Sequence, residues 1–97
     1  GQGVPQDNKA AVRWYTLAAE QGQADAQYNL GVMYGNGDGV LQDNIRAHMW
    51  FNIAAANGAP ENASKNRDII AKRMTPTAIE TAQLLARECT AKNYKGC

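Results

Sequence analysis

Few side chains in this 97-residue sequence are of types that do chemistry, and their spacing decides how each is read. Asp7 and Asp43 are the carboxylates that a general acid–base pair would need, but each directly follows a glycine-rich turn and opens an apolar run, the place of a helix N-cap. His48 is the single histidine, with no acidic or cysteine partner at metal-ligand spacing, and no Ser-His-Asp set can be assembled around it. The stretch "GNGDG" at residues 35–39 has the glycines of a phosphate loop without its lysine, and reads as a turn. Trp14 and Trp50 offer flat faces for stacking a ligand, yet both stand in the middle of apolar stripes and are expected in the core. The residues therefore point to no catalytic group, no metal ligand and no cofactor.

The elements that hold these residues occur twice. "GQGVPQDNKAAVRWYTLAAEQG" opens the chain, and "GDGVLQDNIRAHMWFNIAAANG" follows at an offset of 36 residues. Gly3/Gly39, Val4/Val40, Gln6/Gln42, Asp7/Asp43, Asn8/Asn44, Ala11/Ala47, Trp14/Trp50, Ala18/Ala54 and Gly22/Gly58 are identical, while Tyr15/Phe51 and Leu17/Ile53 are conservative pairs. Each copy reads as a glycine turn, an aspartate cap, and a helix with the stripe Ala11–Trp14–Ala18 or Ala47–Trp50–Ala54, stopped by a glycine at the C′ position. Between the copies, Ala26, Leu30 and Tyr34 predict a second helix over roughly residues 24–35. Gly31 inside it costs about 1 kcal/mol relative to alanine, which suggests that a neighbouring helix crosses there closely. A unit of two helices repeating within 20–50 residues is the mark of a solenoid.

The last third loses this signature. "APENASKNRDIIAKRM" predicts a helix with Pro60 in its first turn and Ala63, Ile69, Ile70 and Met74 as apolar members. "TPTAIETAQLLARECTAKN" predicts another, with Thr75 as N-cap, Pro76 at the first position, and Ile79, Ala82, Leu85, Ala86 and Cys89 on its stripe. A terminal unit that shows one face to water is expected to depart from the repeat.

The pattern Ala26-x3-Leu30-Gly31-x2-Tyr34-x2-Gly37-x-Gly39-Val40-x2-Asp43-x3-Ala47-x2-Trp50-x3-Ala54-Ala55-x2-Gly58 resembles the Sel-1-like repeat, a relative of the tetratricopeptide repeats. Residues 1–22 match the second half of one repeat, residues 23–58 a complete one, and residues 59–97 a degenerate C-terminal repeat; the chain thus reads as a piece of a longer array. The resemblance implies an all-α, α/α superhelix of antiparallel helix pairs and a non-catalytic adaptor that presents a concave surface to a protein or peptide. By analogy with tetratricopeptide geometry, Asp25, Tyr28, Asn29, Val32 and Asn36 would line that inner face. Some cysteine-rich relatives are associated with β-lactam binding or hydrolysis, but they carry a cysteine pair in every repeat, and residues 1–88 here hold none. A module that only assembles copies of itself is the other alternative, so an oligomer stays open.

Charge and cysteines bound the rest. The net charge of +1 argues against nucleic acid as a partner, although residues 1–48 carry −2 and residues 49–97 carry +3. No apolar run approaches the ~20 residues of a membrane span. Cys89 sits in the last turns of the final predicted helix, and Asn93 and Gly96 give the chain room to turn back, so Cys89 and Cys97 are expected to form a disulfide. Two unrelated thiols are the alternative. A bond of this kind persists outside the reducing cytoplasm, which makes a periplasmic or secreted setting the expectation.

Overall fold

The computed structural model describes residues 7–59 and 61–97; Gly1, Gly3, Val4 and Gln6 of the repeated turn, and Pro60, lie outside them. Among the described residues there are five helices and no strand: α1 (Asn8–Glu20), α2 (Ala24–Asn36), α3 (Asn44–Ala56), α4 (Asn62–Ala71) and α5 (Pro76–Ala91). Side chains start three of them. Asp7 accepts from the Ala10 amide at 3.0 Å, Asp43 from the Arg46 amide at 3.1 Å, and Thr75 from the Ala78 amide at 3.0 Å. Each satisfies an amide that the first helical turn leaves without a partner. Gly22 and Gly58 follow the caps of α1 and α3 with φ of +84° and +87°, as the C′ position favours.

Helix α3 is the axis of the molecule. It packs against α2, α4 and α5, and buries residues on every side: Ala47, His48, Met49, Trp50, Phe51, Ile53 and Ala54. One cluster joins Trp50, Met49 and Ile53 to Ala26 and Leu30 of α2, Ala19 of α1, and Ala86 and Cys89 of α5. A second joins Ala47 and Phe51 to Ile70 of α4, with Tyr28, Val32 and Met74 packed on it. The glycine in α2 is explained by this arrangement. A Cβ on Gly31 would stand 2.6 Å from the Phe51 ring, so only glycine lets the two helices approach this closely.

Two expectations about the core are corrected. Trp14 is 71% exposed and Leu17 57%, where their counterparts Trp50 and Ile53 are 2% and 3% exposed. Helix α1 rests mainly on α2, so it buries one narrow face, formed by Val12, Tyr15, Ala18 and Ala19, and Trp14 lies just round the helix from it. Ile69 of α4 is also exposed, because only one of the adjacent pair Ile69–Ile70 can face α3, and Ile70 does.

A polar chain that starts in the core and a C-terminal strap close the structure. Gln27 is fully buried; its amide nitrogen donates to the Ala19 carbonyl at 3.1 Å, and its oxygen accepts from Asn57 at 2.9 Å. Asn57 in turn accepts from the Tyr94 hydroxyl at 3.1 Å. Beyond α5 the chain reverses through left-handed residues Asn93 (φ 55°) and Tyr94 (φ 67°). Cys97 returns to Cys89 as a disulfide with Cα atoms 5.6 Å apart. Lys95 donates to the Glu20 carbonyl at 2.7 Å, the Gly96 amide to the Glu20 carboxylate at 3.3 Å, and Arg46 to the Cys97 carbonyl.

Candidate functional site

Helices α2 and α4 lie on the same side of α3 and leave a groove between them. Its cavity is about 210 Å³, with Val32, Gly35 and Asn36 from α2, Phe51 at its floor, and Asn66, Ile69, Ile70 and the following Arg73 from the α4 side. The local sequence builds it. Gly35 lets α2 come close to Ile70, whose Cδ1 would stand 3.3 Å from a Cβ there, and the Phe51 ring lies across the bottom because Gly31 admits it. The result is an apolar floor with amide and guanidinium groups at its edge, the division of labour found in protein interfaces.

Of the five residues the sequence marks for an inner face, two line this groove: Val32, which is half-buried, and Asn36, which is exposed. Tyr28 stands at its margin as a brace. Its hydroxyl accepts from Asn66 of α4 at 3.1 Å and its ring lies 5.7 Å from that of Phe51 at a tilt of 49°. It is thus half-buried packing that fixes the spacing of α2 and α4. Asn29 is half-buried and Asp25 is exposed, and neither lines the groove. Asp25 lies in the first turn of α2, where its charge favours the positive end of the helix dipole.

Half of the groove was not read from the sequence. Asn66, Ile69 and Arg73 belong to the region without repeat signature, so no family position marks them. The signal was present in the doublet Ile69–Ile70: a helix face wide enough for one of them in the core must leave the other outside, next to whatever α4 shelters.

The remaining candidates for chemistry find structural roles. Asp7 and Asp43 are caps, and Asp43 also lies 3.6 Å from Arg46. His48 is buried between α3 and α4, and its Nδ1 has no partner among the described residues. Burial holds its pKa below the ordinary value, the Arg67 guanidinium adds to this, and Asp68 opposes it. Arg67 donates to Asn52 at 3.0 Å and to Asp68 at 3.2 Å. Among the described residues no three His, Cys, Asp or Glu side chains converge as a metal site would require, and no helix is long and apolar enough to cross a membrane.

With this geometry in hand, known proteins give a consistent picture. The family model described as Sel1 repeat matches residues 1–23 and 24–58. The crystal structure of a protective antigen present in uropathogenic Escherichia coli strains, displaying an SLR fold, superposes with a TM-score of 0.86 and 34% sequence identity over 97% of this chain. The chain spans 21% of the length of that protein. A search of curated proteins found no match.

Proposed function

The chain belongs to the Sel1 repeat family, and from that premise we propose that it is a non-catalytic scaffold holding a partner protein or peptide in the groove between α2 and α4. Repeats of this family generally mediate protein–protein interaction and are typically not enzymes. The observation that carries the reading is the groove itself. Val32 and Asn36 face Ile69 and Arg73 across an apolar floor, and the first two belong to the set that tetratricopeptide analogy assigns to the inner surface. Residues 59–97 complete the groove with α4 and cover α3 with α5. The setting is extracytoplasmic, supported by the Cys89–Cys97 disulfide, since oxidising compartments are where such bonds persist.

Affinity capture with the wild-type chain and with Ile69→Glu tests the groove. Ile69 is exposed, so the variant keeps its helical circular dichroism and its melting temperature, and it is expected to lose the captured partner. Retained capture by a folded Ile69→Glu, confirmed with Asn36→Arg, would remove the groove from the account. Sedimentation across concentrations separates this function from self-assembly.

A further inference from the structure

The groove between α2 and α4 passes from apolar to polar along its length, because its two walls run in register. At one end the Tyr28 hydroxyl accepts from Asn66 at 3.1 Å. One turn on, Val32 and Ile69 line the groove over Phe51, and one turn beyond these stand Asn36 and Arg73. Arg73 follows the end of α4, but its amide still donates to the Ile70 carbonyl at 2.9 Å. The chain therefore keeps turning and holds Arg73 on the wall of Ile69.

Charge is uneven there too. Among the described residues Arg73 is the only ionised side chain that lines the groove, and no carboxylate does. The cations of α4 are matched locally, Lys65 by Glu61 at 3.8 Å and Arg67 by Asp68 at 3.2 Å. Arg73 is exposed and forms no salt bridge among the described residues. A helix C-terminus favours a cation in its own right. Lys72, at the C-cap of α4, fills that place, while Arg73 is the one that lines the groove.

On the reading that this groove holds a partner, we propose that its occupant is a peptide segment carrying an aliphatic residue close to an aspartate or glutamate. The aliphatic side chain lies on Phe51 between Val32 and Ile69, and the carboxylate pairs with Arg73 beside Asn36. The guanidinium offers a carboxylate two parallel N–H donors, and the Asn36 amide offers another. The apolar floor keeps water from one side of the pair, which strengthens it relative to a fully exposed one. The two residues stand within about two positions of each other, since an extended chain advances about 3.3 Å per residue and one helical turn rises about 5.4 Å. A basic segment is repelled by Arg73 and finds no carboxylate in the groove.

Selection from a library of random peptides displayed on phage, against the wild-type chain, Arg73→Glu and Ile69→Glu, tests this. Arg73 is exposed and lies outside α4, so Arg73→Glu keeps its helical circular dichroism and melting temperature. The wild-type chain is expected to enrich, severalfold, peptides with Asp or Glu near Leu, Ile or Val. Arg73→Glu exchanges the acidic preference for a basic one and keeps the aliphatic preference, whereas Ile69→Glu loses both. One enriched peptide, made synthetically, is expected to bind Arg73→Glu about tenfold more weakly and to lose affinity as salt rises. The proposal is overturned, with the groove itself left standing, if Ile69→Glu abolishes the selection but the enriched peptides are not acidic, or if Arg73→Glu selects the same acidic ones. No enrichment on the wild-type chain, or enrichment untouched by Ile69→Glu, overturns the groove reading and this proposal with it.

Discussion

Helices α1 and α3 carry nearly the same apolar pattern, and the fold treats them in opposite ways. Around α3 the neighbours α2, α4 and α5 cover every side, so Trp50, Phe51 and Ile53 are all core. On α1 the same register meets mainly α2, and only the Val12–Tyr15–Ala19 face is sheltered. One substitution between the copies follows the environments: the exposed Arg13 of α1 becomes the buried Met49 in α3. The pattern Ala-x2-Trp-x3-Ala therefore specifies a helix able to pack on two sides. How many sides are filled depends on neighbours that the motif does not contain.

This contrast can be broken by measurement. Trp50→Ala is expected to cost about 3–5 kcal/mol, the range for emptying a large aromatic site, as read from urea unfolding. The same change at Trp14 is the other end of the scale, and an equal loss at both sites would end the distinction. Next in size is Gln27→Leu. It keeps the volume but removes both hydrogen bonds of the Gln27 side chain, a loss of about 1–3 kcal/mol at about 0.5–1.5 kcal/mol each. A neutral result there would mean that the link from α1 to α3 contributes nothing to stability. Gly31→Ala sets two effects against each other. The added Cβ forces Phe51 aside at a cost of about 1–3 kcal/mol, while alanine returns up to about 1 kcal/mol of helix propensity. A net destabilisation is expected, relieved when Phe51→Leu is added; stabilisation would show that α2 has room over α3.

His48 sharpens the comparison by pH, because its counterpart in α1 is Val12. The unfolded chain takes up this proton near its ordinary value of 6.5, while the folded chain does so only at lower pH. The unfolded state therefore binds more protons as the medium acidifies, and stability falls as pH drops from above 6.5 toward the folded value. The unfolding midpoint is expected to be lower at about pH 5 than at about pH 7.5, with a smaller drop in His48→Val. An unchanged drop in that variant would assign the acid sensitivity to other groups. The smallest expected effect belongs to Trp14→Ala, within about 0.5 kcal/mol, as for other exposed positions.

Much of this fold was legible. Caps at Asp7, Asp43 and Thr75, stops at Gly22 and Gly58, and the close crossing at Gly31 are local devices, and local chemistry announces them. The disulfide was legible too, since the cysteines were few and Asn93 and Gly96 allowed the turn. The exposure of Trp14 was not, because burial depends on which helices stand alongside. Nor was the α4 side of the groove, since Asn66, Ile69 and Arg73 acquire meaning only when α4 is set beside α2. Asp25 and Asn29 were placed by analogy, and they do not line the groove between α2 and α4.

The strap beyond α5 changes how the molecule comes apart. In a linear solenoid each unit touches only the next, so an end can fray without disturbing the far units. Here Lys95 and Gly96 grip Glu20 at the end of α1, across sequence separations of 75 and 76 residues, and Tyr94 grips the cap of α3 on the way. The disulfide anchors that grip to α5. Release of the strap must then break contacts to α1 as well as to α5. The two helices are tied to each other across those between them, and their separation becomes a more nearly all-or-none event than stacked helix pairs alone would give.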